Sequence, residues 1–195
     1  MRFGVAEDQG DDDRSATLLP PLGARGRDAD FASGSSGGAH LVIGYGNLLR
    51  RDDAAGYLAA ESLAGRSPAS IRAIAVAQLT PELAAELALA RAACFVDARL
   101  GGAAGGLLVE EIFPDEAGST PLLAHSLSPG GLMQLCGWLY GRVPRCWLVS
   151  IPGVDFELGL GLSPLARAGL AEAVRAIDRW SRSLEVIDLD RDGRI

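Results

Sequence analysis

The sequence predicts an α/β fold, a three-layer sandwich with a mostly parallel five-stranded sheet and helices on both faces. Three observations predict it. Five short apolar runs alternate with helix-forming segments in the order β-α-β-α-β-β-α-β-α. The runs are continuously apolar rather than alternating, as expected for strands covered on both faces. Three of the helical segments open on a hydroxyl residue followed by proline, the pattern of a capped first turn.

Taken in order, residues 40–46 (HLVIGYG) read as a buried strand running into a glycine turn. Residues 52–64 are alanine-rich, with Leu58 and Leu63 at helical spacing. Residues 71–76 form a second strand. Thr80-Pro81-Glu82 then opens a helix with a cap, a proline at the first helical position and an acid in the first turn. Residues 92–97 (AACFVD) make a third strand and residues 107–113 a fourth. The fourth comes after the third with no helix between them, so it is expected to be antiparallel or at an edge. Ser128-Pro129 opens the next helix, residues 146–151 (CWLVSI) make the fifth strand, and Ser163-Pro164 opens the last helix.

Residues 1–38, rich in Gly, Asp, Ser and Arg, are expected to be a flexible acidic extension. Their acidic cluster stands where a signal peptide would have its apolar stretch. The single domain is expected over residues 39–184, and residues 185–195 read as a polar tail. The formal net charge of −7 argues against nucleic acid and against an anionic membrane surface, and no apolar run approaches the length of a bilayer span. The three cysteines, Cys94, Cys136 and Cys146, are odd in number and form no CxxC pair. They are expected to be small buried hydrophobes in a protein of the cytoplasm.

In a parallel α/β sheet, function sits beyond the C-terminal ends of the strands. There the first strand meets Gly44-Tyr45-Gly46-Asn47, with Asp52 and Asp53 a few residues later. A dinucleotide fingerprint would carry a third glycine where Leu49 stands, so a nucleotide site is not supported. Asp52 is expected to cap the helix and Asp53 to point elsewhere, although both acids could simply favour the helix dipole. Asp97 ends the third strand, where a carboxylate either binds a ligand or accepts hydrogen bonds from the next turn. His125 lies in the loop before the Ser128 helix. By itself it could be merely solvated. His40, at the opposite edge of the sheet, is expected at the surface. Asn47 suits an Asx turn.

Together, Asp53, Asp97 and His125 would converge on one edge from three loops. Two carboxylates and an imidazole suit a borderline divalent ion such as nickel, zinc, cobalt or iron, and three protein ligands leave positions open for a substrate group. There is no HExxH motif, no GxSxG elbow and no identifiable base beside a serine or cysteine.

Five segments in order resemble the hydrogenase maturation proteases. These are GYGNLLRRDDAAG (44–56), AQLTPELAAELA (77–88), CFVDA (94–98), HSLSPGGLMQLCGWLYG (125–141) and GVDFELGLGLSP (153–164). They span nearly all of residues 40–180. The chain departs from the family pattern at Ala54, where glycine is common, but keeps Gly56. The resemblance implies a cytoplasmic endopeptidase that removes the C-terminal extension of a hydrogenase large-subunit precursor. It also implies that nickel arrives inside that precursor and is sensed by Asp53, Asp97 and His125, which serve as both metal ligands and catalytic residues. A monomer is expected. A non-catalytic metallochaperone or scaffold for the large subunit and a small-molecule metal hydrolase remain as alternatives. The loops around 101–106 and 115–120 are expected to shape specificity.

Overall fold

The computed structural model describes residues 39–66, 70–101, 106–116 and 127–191, with side chains as far as residue 183. The extension expected over residues 1–38 lies outside these residues. Among the described residues, five strands, β1 (His40–Tyr45), β2 (Ile71–Val76), β3 (Ala92–Leu100), β4 (Leu108–Ile112) and β5 (Arg145–Gly153), form one sheet in the order β2-β1-β3-β5-β4. β1 pairs in parallel with β2 and β3, and β3 in parallel with β5. β4 is the expected exception in both senses: it lies at an edge and runs antiparallel to β5.

Among the described residues, four helices cover the sheet: α1 (Ala55–Ala64), α2 (Leu83–Leu89), α3 (Pro129–Tyr140) and α4 (Pro164–Arg191). α1 and α4 pack on one face, around Val42, Cys94, Val96, Trp147, Val149 and Ile177. α2 and α3 pack on the other, around Leu41, Ile43, Phe95, Leu87, Leu132 and Met133. Successive strand side chains therefore enter opposite cores, the reason the strands read as unbroken apolar runs. All three cysteines are buried and free, as the sequence suggested.

The hydroxyl-proline pairs open their helices in two cases out of three. Ser128 Oγ accepts the N–H of Gly131 at 2.9 Å, and Ser163 Oγ accepts that of Ala166 at 3.1 Å. Thr80-Pro81 instead make a preliminary turn closed by Leu83 N–H to Thr80 O, and α2 begins only at Leu83.

His40 is not at the surface. It is 3% exposed, with Nδ1 3.4 Å from Ser181 Oγ and its ring 5.5 Å from that of Trp180. The cause is the path of α4, which starts beyond the C-terminal end of β5 and packs back across the sheet, so that Trp180 and Ser181, about 24 Å along the helix at 1.5 Å per residue, lie against His40 at the start of β1. The domain boundary drawn at residue 184 falls within this helix. Among the described residues, no helix is long and apolar enough to cross a membrane.

Candidate functional site

β2 lies on one side of β1 and β3 on the other, so the order in which strands are added to the sheet reverses between the parallel neighbours β1 and β3. In open α/β sheets the crevice beyond the C-terminal ends of two such strands is where ligands bind. Asp53 comes after β1 and Asp97 lies on β3, so both carboxylates sit at this switch point.

Beside the switch point, helix α1 and strands β1 and β3 touch through glycine. A Cβ on Gly44 would stand 2.1 Å from Gly56 O, and one on Gly56 would stand 2.3 Å from Val96 O. Gly56 therefore supplies the close helix–strand approach that Leu49 does not. Gly46, at φ 145°, turns the chain out of β1, and any Cβ there would meet Asp53 O at 1.8 Å. Asn47 Oδ1 accepts the N–H of Leu49 at 2.9 Å, the expected Asx turn. The Asn47 N–H donates to Asp53 Oδ2 at 2.9 Å, which orients that carboxylate.

Asp97 is not the last residue of its strand. β3 continues to Leu100, but its burial ends at Asp97, where the strand leaves the core. Burial holds the Asp97 carboxyl above the ordinary carboxylate range. A hydrogen bond from the Tyr45 hydroxyl and one from the Ala98 N–H, at 2.8 Å, work against that shift, and the charge of Asp53 adds to it. Burial and the facing Asp97 carboxylate also push the Tyr45 hydroxyl well up. Two acids that repel each other in a partly dry crevice favour a cation between them.

Asp52 does not cap α1. Burial opposes its charge, but hydrogen bonds from Ser163, Val154 and Asp155 outweigh burial and hold its carboxyl low. Those donors belong to the segment between β5 and α4. The same segment is tied to the 49–51 turn by Gly159 N–H to Leu49 O at 2.9 Å and Arg51 N–H to Gly159 O at 3.1 Å.

His125 lies outside the described residues, as do most of the two loops expected to shape specificity. Among the described residues, no three His, Cys, Asp or Glu side chains gather closely enough to hold a metal ion. The described part of the site is thus the pair Asp53 and Asp97. Sequence reasoning missed Tyr45 and the part played by residues 153–163. A tyrosine ending a buried strand needs a partner for its hydroxyl, and that was the available signal for Tyr45. For the second, the only signal was the run of glycines in GVDFELGLG, which marks close backbone approach.

No protein-family model and no curated protein sequence matches the chain. Solved structures do match it. The hydrogenase maturating endopeptidase HybD from E. coli gives a TM-score of 0.55 at 21% identity, over 80% of this chain and 94% of that one. The [NiFe] hydrogenase maturation protease HycI from Thermococcus kodakarensis KOD1 gives 0.57 at 20% identity, over 80% and 97%. HybD from Thermococcus kodakarensis gives 0.55 at 21% identity, over 73% and 99%. Since the alignments cover nearly the full length of each, the chain has the fold of these hydrogenase maturation endopeptidases.

Proposed function

We propose that the chain is a hydrogenase maturation endopeptidase, which removes the C-terminal extension of a nickel-loaded hydrogenase large-subunit precursor. One observation carries the reading. Two carboxylates, Asp53 and Asp97, stand at the switch point of a fold shared with named proteases of this kind. The nickel is part of the substrate and is read by Asp53, Asp97 and His125. Docking it there brings the peptide bond beyond the precursor's metal site into the crevice. Water adds to the carbonyl carbon, the C–N bond breaks, and the departing amine takes a proton. Polarisation of the carbonyl by the metal and proton abstraction by Asp53 are the two ways this site can assist the water.

The rim supports a polypeptide substrate rather than a small molecule. Leu48 and Leu49 on the first turn and Leu158 and Leu160 on the segment tied to it are 41, 62, 79 and 79% exposed. Apolar side chains displayed beside a polar crevice suit the docking of a protein partner.

The test is incubation of nickel-loaded and nickel-free precursor with wild type and with Asp53→Ala, read by mass. Loss of the tail only with nickel-loaded precursor and wild type is the expected result. An uncut precursor held in a stable complex would replace the peptidase reading with a scaffold. Cleavage by Asp53→Ala at the wild-type rate would sink the site assignment.

A further inference from the structure

Asp52 stands next to the carboxylate proposed to read nickel, yet its side chain bonds to a different segment of the chain. It is 0% exposed. Its Oδ2 accepts the N–H groups of Val154 at 2.8 Å and Asp155 at 3.0 Å, and its Oδ1 accepts that of Ser163 at 2.7 Å. Its own N–H donates to Asp155 O at 3.0 Å. Every donor lies in the segment that leaves β5 for α4. Gly153 makes the approach possible, since a Cβ there would stand 2.8 Å from the Asp52 Cβ.

The neighbouring residues reinforce the same junction. Arg50 Nε and Nη2 both donate to Phe156 O at 3.1 Å, and Arg51 Nη1 donates to Asp155 Oδ2 at 2.6 Å. Arg51 holds φ 44°, a left-handed conformation uncommon for a residue with a side chain. Such strain persists where surrounding contacts over-determine it, and functional turns are where it collects. Here the contacts over-determining it are those of Asp52 and the two arginines.

We propose that Asp52 is a positioning residue, a buried latch that clamps residues 153–163 onto the 50–53 turn and so presents Asp53 to the crevice facing Asp97. The inference rests on the peptidase reading, because it assigns Asp52 a part in that reaction without contact with substrate. Hydrogen bonds to an ionised acceptor are about twice as strong as neutral ones, so a buried carboxylate suits this task better than an amide.

Asp52→Asn in the full chain is the test. The amide keeps the size but puts an NH2 group where one oxygen accepted. Two readouts are taken. Amide exchange at Val154, Asp155 and Ser163 should speed at least about tenfold, while exchange in β1 and β3 is unchanged. In processing of nickel-loaded precursor, kcat should fall about tenfold or more with KM within about twofold, the mark of misplaced reacting groups rather than lost docking. Unchanged exchange overturns the latch. Faster exchange with unaltered kcat overturns the positioning role and leaves a purely structural bond. A wild type that does not cut the precursor overturns the peptidase reading, and the exchange result still reports on the latch. If Asp52→Asn does not fold, Arg50→Gln removes the exposed part of the same clamp and must show the same two effects in smaller measure. Their absence there overturns the proposal.

Discussion

Substituting Gly56 by alanine sets two effects of opposite sign against each other. Gly56 is buried on the first turn of α1. It does not lie in the left-handed region, so alanine would favour the helix by about 0.5–1 kcal/mol. The added methyl would stand 2.3 Å from Val96 O and 2.4 Å from Tyr45 O, against ordinary contacts of 3.4 Å or more. Both oxygens belong to strand backbone in the middle of the sheet, and neither can rotate away. α1 must therefore back off by about 1 Å from β1 and β3 together, in an interior packed as densely as a crystal. Overpacking of this kind costs about 1–3 kcal/mol, and two rigid obstacles place it at the upper end. The net loss is about 2 kcal/mol, or about 4–8 °C in Tm for a chain of this size. Thermal unfolding followed by circular dichroism, with urea unfolding as a second probe, measures it. A Tm equal to or above that of wild type would show that helix and sheet do not meet at this residue. Gly44→Ala strikes the same contact from the strand side, 2.1 Å from Gly56 O, so the double substitution should cost less than the two single ones added.

Other outcomes are expected from the site and its surroundings. Asp97 has a folded pKa above its unfolded value, so its ionisation disfavours the fold. The penalty is absent below the unfolded value of about 3.9, grows as pH rises through the folded value and is complete above it. Asp97→Asn should therefore melt higher than wild type at neutral pH, with the gap closing in acid, while losing precursor processing; melting curves at several pH values would show it, and a lower Tm at neutral pH would contradict the sign. Glu111 and Arg145 join β4 to β5 through two bonds of 2.8 and 2.9 Å, about a quarter exposed. Glu111→Gln should cost about 1 kcal/mol or less in urea unfolding, and less still in 1 M salt; a loss indifferent to salt would mean the pair acts through packing. Leu158→Asp should raise KM for the precursor about tenfold and spare kcat, and an unchanged KM would remove the leucine rim from the docking surface.

Much of this architecture was legible in the chain itself. Unbroken apolar runs in Leu41–Ile43, Cys94–Val96 and Trp147–Val149 announce strands with a core on each face, because only such a strand can bury every side chain. Ser128-Pro129 and Ser163-Pro164 mark helix starts because capping is local chemistry, decided within four residues. Asp53 and Asp97 were recognisable as candidates because parallel strands all deliver their C-terminal residues to one edge.

Other features depended on contacts between distant segments, and no local pattern encodes those. His40 reads as a surface residue until α4, more than a hundred positions later, packs back across the sheet to cover it. Asp52 and Asp53 are identical in type and adjacent. Which one faces the crevice was decided by three N–H groups 102, 103 and 111 residues away that only the folded chain brings to Asp52. The raised pKa of Asp97 has the same origin, because burial and a neighbouring charge are properties of the assembled crevice. The sequence by itself determined which residue types stand at the C-terminal edge of the sheet. Their orientation, charge and partners were decided by tertiary structure, since these depend on distances that the order of residues does not contain.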